Sequence, residues 1–138
     1  MKKEFTGKWV GGMAFDIPMD GHHVMVDAEE QFGGQDKGPR PKNLMVASLI
    51  GCTGMDVIAI LNKMRVQVEE FSIDVKTELT EEHPKHFTSM HLIYRFKGKN
   101  LPLENLKKAV ELSQDRYCGV SAVYKKALNL TYEIVVEE

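Results

Sequence analysis

Residues 41–65 read PKNLMVASLIGCTGMDVIAILNKMR, and the way this stretch folds decides the architecture. Apolar residues from Leu44 through Leu49, Ile50, Met55, Val57, Ile58 and Leu61 to Met64 recur at helical spacing and cover nearly the whole circumference. They predict a helix from Lys42 to about Arg65. Pro41 stands just before it, where a missing N–H is tolerated. A helix that is apolar all round is buried on several sides. Ser48, Thr53 and Asp56 interrupt the run, so it reads as a poor membrane span and a good core helix. Gly51 and Gly54 sit around Cys52, although glycine costs about 1 kcal/mol against alanine in a helix interior. Their missing Cβ atoms let another backbone approach, or leave room for a ligand at the sulfur.

Around this helix the chain alternates in short runs. FTGKWVGGMAFDI (5–17) and HHVMVDA (22–28) flank Asp20-Gly21, a hairpin signal. EEQFGGQDKGPRP (29–41) is loop. In 71–79, Phe71, Ile73, Val75, Thr77 and Leu79 face one way, and in 88–97 Met90, Leu92, Tyr94 and Phe96 do the same, giving two half-buried strands. Residues 103–114 form an amphipathic helix with Leu103, Leu106, Ala109 and Val110 inward. DRYCGV interrupts it, SAVYKKAL makes a further helix with Val120, Val123 and Ala127 together, and 128–136 is a last strand. The order β-β-α-β-β-α-α-β, with strands gathered into hairpins, predicts an α+β fold with antiparallel pairing. A modest sheet covers one side of an all-apolar helix, so the other side calls for a second copy and a homodimer that shares the helix.

The 138 residues are 43% hydrophobic and 28% charged, which suits one soluble domain over residues 1–138. A net charge of −2 and a pI near 6.2 carry no footprint for nucleic acid or an anionic membrane. MKKEFTGKWV has no apolar stretch behind its lysines, so a cytoplasmic location is expected. There a stable disulfide would be unusual, and two buried thiols acting as small hydrophobes is the plain reading of the cysteines.

Cys52 and Cys118 are the only cysteines, with no Cys-x-x-Cys pair and no zinc-finger spacing. Cys118 lies at a break before a helix, where unpaired N–H groups favour a thiolate. Cys52 is too deep in its helix for that and needs another cation, for which Arg40, Lys42 and Arg116 are the candidates. Asp56, one turn on, raises a neighbouring thiol pKa and reads as a hydrogen-bonded core aspartate. His22 and His23 are adjacent on a strand and point to opposite faces. His83, His86 and His91 lie in or beside a polar loop, and no metal site and no cofactor are expected from these spacings. GGQDKG lacks the Gly-Lys-Ser/Thr of a phosphate loop, and there is no G-x-S-x-G elbow.

The stretch PKNLMVASLIGCTGMDVIAILNKMR (41–65) resembles the central-helix signature of the OsmC/Ohr superfamily, the osmotically inducible and organic-hydroperoxide-resistance proteins. LSQDRYCGVSAVYKKALNLTYEIVV (112–136) is similar to that family's second motif, with wording that looks most like the YhfA-like branch. The resemblance implies an intertwined homodimer, with antiparallel sheets wrapped around long buried central helices and two sites at the subunit interface. It implies a thiol-dependent peroxidase of oxidative-stress defence, with Cys52 at the peroxidatic position and Cys118 at the resolving one. The partners it implies are a hydroperoxide and a dithiol reductant, lipoyl-type in well-known members. Peroxidase members carry a glutamate directly after the helix-opening proline and an arginine in the preceding loop. Here Lys42 stands at the first place, and EEQFGG has no arginine. The alternatives are a thiol redox sensor or small-molecule or sulfur carrier of the same fold, and a binding module with inert cysteines.

Overall fold

A computed structural model describes residues 1–138, which fall into two compact units, Met1–Ala47 and Ser48–Glu138. In the first, β1 (Lys8–Trp9), β2 (Phe15–Met19) and β3 (His22–Val26) form an antiparallel sheet in that order. Asp20 and Gly21 both take positive φ, 52° and 77°, the backbone a two-residue hairpin turn demands. The run 5–17, expected as one strand, is divided by a turn at Gly11-Gly12, and Trp9 pairs back on Phe15. The loop after β3 is pinned by buried Asp27, whose carboxylate accepts N–H bonds from Ala28, Gln35 and Lys37. These bonds hold its pKa below the ordinary carboxylate value. Only glycine fits at Gly34, where a Cβ would lie 2.0 Å from the Ala28 carbonyl oxygen.

A 3₁₀ turn over Pro41–Asn43 leads into α1 (Leu44–Lys63). The second unit then adds β4 (Glu70–Leu79), β5 (Phe87–Lys97), α2 (Leu103–Leu112), α3 (Gly119–Ala127) and β6 (Asn129–Glu137). Its sheet order is β4-β5-β6. β4 and β5 are antiparallel, but β5 and β6 are parallel, with Met90 opposite Leu130 and Tyr94 opposite Ile134. The parallel pair follows from the two helices between the strands, which carry the chain back to the starting end of β5, as a parallel connection requires. The fold is α+β, as expected, with this one pairing different from the antiparallel expectation.

β5 is the core strand: Met90, Leu92, Tyr94 and Phe96 are fully buried. Phe71 of β4 stacks on Phe96 at 4.7 Å between ring centroids. From α2 the buried residues are Leu106, Ala109 and Val110, while Leu103 stays partly out, and Val123 of α3 is 63% exposed. α1 buries one stripe, Leu49, Thr53, Val57 and Leu61, at i, i+4, i+8 and i+12. One chain covers only this side, as a single modest sheet allows: Met55 is 76% exposed. A three-stranded sheet covers one face of a helix, and the other apolar face remains. Pro41–Lys63 is long and apolar enough by composition to cross a membrane, more so than its polar interruptions suggested.

The uncovered face and β4 bound a groove of about 570 Å³, lined by Ile50, Gly54, Met55, Ile58, Phe71 and Ile73 among others. Gly51 also lines it, and a Cβ there would meet nothing within 4 Å, whereas one at Gly54 would touch Ile73 at 3.4 Å. The two glycines therefore shape the groove, which Cys52 does not line.

Leu61, 1% exposed, reads out the α1 packing. Leu61→Ala should lower the unfolding free energy by about 2–5 kcal/mol in urea titration. A loss well under 1 kcal/mol would mean that the stripe is not the packed face.

Candidate active site

Cys52 lies in the middle of α1, one turn before Asp56, and Cys118 is the N-cap of α3. Between α2 and α3 the chain makes a π turn over Ser113–Tyr117, closed by the Cys118 N–H bonding to the Ser113 carbonyl oxygen at 2.8 Å. Such wide turns recur at functional sites. Here the turn brings residues 66 positions apart in sequence to one place: Cys52, Asp56 and Cys118 each contribute one donor atom, all within 4.8 Å of one another. Cys118 is buried, and Cys52 and Asp56 are half-buried.

The first turn of α3 serves both sulfurs. The Ser121 N–H donates to Cys118 Sγ at 3.3 Å, and the backbone of Val120 acts on Cys52 to lower its thiol pKa. These are N–H groups that a helix N-terminus leaves without partners. Their effect on Cys52 is outweighed. Burial pushes its thiol above the ordinary value, and the Cys118 side chain and the Asp56 carboxylate push the same way.

Asp56 is the end of a polar chain that runs through the core. Ser113 Oγ donates to Asp56 Oδ2 at 3.0 Å. A hydroxyl has one proton, so Ser113 must accept from Thr53 Oγ1 (2.7 Å), and Thr53 in turn accepts from the Tyr94 hydroxyl (2.7 Å). Tyr94 accepts from Gln114 Nε2 at 2.8 Å. The order Gln114, Tyr94, Thr53, Ser113, Asp56 is thus fixed in direction. Burial keeps the Tyr94 phenol above its ordinary pKa and so a donor, although its bonds to Thr53 and Gln114 pull the other way. The sequence reading anticipated Asp56 as a hydrogen-bonded core aspartate but missed its partners. A signal existed: Thr53 and Ser113 put hydroxyls at inward positions of apolar helical patterns, and Tyr94 does so on a strand.

The candidate cations have separate placements. Arg40 belongs to the first unit, where it pairs with Asp36 and Glu29 and donates to the Gly38 carbonyl. Lys42 is exposed in the turn that opens α1. Arg116 is exposed in the π turn with its guanidinium 5.7 Å from the Tyr117 ring centroid. Lys125, not singled out from sequence, reaches that turn, donating to the Gln114 carbonyl and pairing with Asp115 at 3.5 Å.

A thiol on a core helix, facing a second thiol at the start of another helix on an α+β scaffold, defines a class of two-cysteine proteins. The OsmC-like protein family matches residues 34–133, and the chain belongs to that family. It is 34% identical over 131 residues to Protein YhfA of Escherichia coli (strain K12), covering 93% of this chain and 95% of that one. The structure is similar to the crystal structure of a protein from Aquifex aeolicus VF5, with TM-score 0.83 and 30% identity over 100% of this chain and 99% of that one. It also matches the Organic Hydroperoxide Resistance Protein OhrB of Bacillus subtilis, TM-score 0.65, 16% identical, over 97% and 98% of the two chains; at that identity the likeness is one of fold.

The raised Cys52 pKa gives a sign for reactivity. The thiol is protonated at neutral pH, so iodoacetamide labelling of Cys52 should climb only above the ordinary thiol range. Asp56→Asn should move that midpoint down, since one raising charge is gone. Labelling of Cys52 that is already complete at acidic pH would contradict this electrostatic account. Thr53→Val, which cuts the buried chain, should cost about 1–3 kcal/mol in unfolding free energy.

Proposed function

We propose that the protein is a thiol-dependent peroxidase that reduces organic hydroperoxides in oxidative-stress defence, with Cys52 as the attacking and Cys118 as the resolving cysteine. The observation that carries it is the convergence of the two sulfurs, within 4.8 Å of each other, at the start of α3. The Cys52 thiolate attacks the terminal peroxide oxygen. The O–O bond breaks, the alkoxide leaves as alcohol after taking a proton, and Cys52 becomes a sulfenic acid. The Cys118 thiolate then attacks the sulfenic sulfur and forms the disulfide, hydroxide leaving as water after taking a proton from solvent, and a dithiol, lipoyl-type by family resemblance, reduces the disulfide by exchange. Disulfide formation closes the sulfurs to about 2.05 Å from a separation of no more than 4.8 Å. Arg40, Lys42 and Arg116 remain the candidates for thiolate or substrate stabilisation. The fold shared with a protein named for organic hydroperoxide resistance supports the same reading.

The reading includes one OsmC-like domain over residues 1–138, a homodimer and a cytoplasmic setting. The apolar face of α1 and β4 supports the dimer, because an exposed apolar patch of this kind marks an interaction surface. One observation favours a second reading, a thiol redox sensor or small-molecule or sulfur carrier without rapid turnover: burial, the Cys118 side chain and the Asp56 carboxylate all raise the Cys52 pKa.

Peroxide consumption with a dithiol reductant separates the two. The peroxidase turns over alkyl hydroperoxides, Cys52→Ser abolishes turnover, and Cys118→Ser accumulates a trappable sulfenic acid. Stoichiometric disulfide formation without turnover selects the sensor, and no change on Cys52→Ser rejects both. Sedimentation should give a dimer that Ile58→Asp dissociates; a monomeric parent protein would remove the dimer from the reading.

A further inference from the structure

The same three side chains have the makings of a metal site. Two sulfurs and a carboxylate oxygen within 4.8 Å of one another are a ligand set for a thiophilic divalent cation. Zn²⁺ takes Cys and Asp ligands, and three protein ligands leave a fourth tetrahedral position for water or a small molecule. Zn–S bonds of about 2.3 Å place two tetrahedral sulfurs about 3.8 Å apart. The donors therefore need to close by about 1 Å at most, a shift within reach of side-chain rotation.

Two further observations agree. Ser113 donates to Asp56 Oδ2 and is itself buried and fixed by Thr53, the kind of outer hydrogen bond that orients a ligating carboxylate. Charge agrees as well. Two thiolates and a carboxylate carry three negative charges. A divalent cation supplies the charge that the residues lack. The Ser121 N–H that donates to Cys118 Sγ remains a good donor to a metal-bound thiolate. Sequence spacing hid the set because its ligands come from α1 and the start of α3.

We propose that the reduced protein binds one thiophilic divalent cation, of the Zn²⁺ type, through Cys52, Cys118 and Asp56, and that metal binding and disulfide formation exclude each other. Binding replaces two thiol protons by the metal. Oxidation of the loaded site by a hydroperoxide takes two electrons from the two sulfurs and forms the S–S bond. Two solvent protons and the peroxide yield alcohol and water, and the cation is released. The site goes beyond the peroxidase reading and stands whether or not peroxide is turned over.

The test titrates anaerobically reduced protein with Zn²⁺ against a chromophoric chelator, and with Co²⁺ as a spectroscopic probe. The expected result is one equivalent per chain, with a thiolate-to-cobalt charge-transfer band in the near ultraviolet. Both should vanish in Cys52→Ser, in Cys118→Ser and in the disulfide form of the unaltered protein, which controls for variants that misfold. Ser113→Ala should weaken binding about 10- to 100-fold. Absence of the band in reduced protein overturns the proposal. So does equal binding by the disulfide form, which would put the cation on surface groups such as His22 and His23. Turnover by chelator-treated protein reports on the peroxidase reading alone, and inhibition of that turnover in step with Zn²⁺ occupancy supports the metal site.

Discussion

The buried chain of hydroxyls from Gln114 through Tyr94, Thr53 and Ser113 to Asp56 is the constraint on which the rest of the second unit depends. It joins three elements distant in sequence, α1, β5 and the π turn, by directional bonds in a core otherwise held by non-directional apolar packing. A buried hydroxyl without a partner is costly, so each member rejects arrangements that strand its neighbours. Apolar burial would allow α1 to slide or turn on the sheet. The chain of bonds fixes one rotation of the helix, and that rotation puts Cys52 toward α3 and leaves Gly54 and Ile58 at the groove.

Much of the fold was legible because its signals are local. Alternation along 71–79 and 88–97 became β4 and β5, and the all-apolar run became α1 with its lead-in at Pro41. Asp20-Gly21 announced its hairpin. The failures were non-local. The parallel pairing of β5 and β6 depends on where two helices return the chain, which no window of sequence contains. The open apolar face of α1 was foreseen, since one modest sheet covers one side of an all-apolar helix. At the site, the two cysteines stood out through family motifs, whereas their meeting with Asp56 and the supporting hydroxyls is a product of tertiary packing.

The site sets two influences against each other. The backbone of Val120 lowers the Cys52 pKa, while burial, a second thiol and a carboxylate raise it. The balance raises the Cys52 pKa and disfavours its thiolate. This makes its chemistry conditional: a cation from elsewhere in the assembly, from a substrate or from solution changes both its charge and its reactivity. A cysteine activated by a permanent arginine has no such dependence.

The π turn over Ser113–Tyr117 ties this site to chain length. A π turn is an α-helical turn with one residue inserted. Each residue advances a helix by about 100°, so an uninterrupted α-helix one residue shorter would present the side chain before α3 to a different quarter of the core. The meeting of the two thiols is therefore specified by a count of residues as much as by their kinds. Substitution can change what the pair does, but insertion and deletion decide whether there is a pair at all.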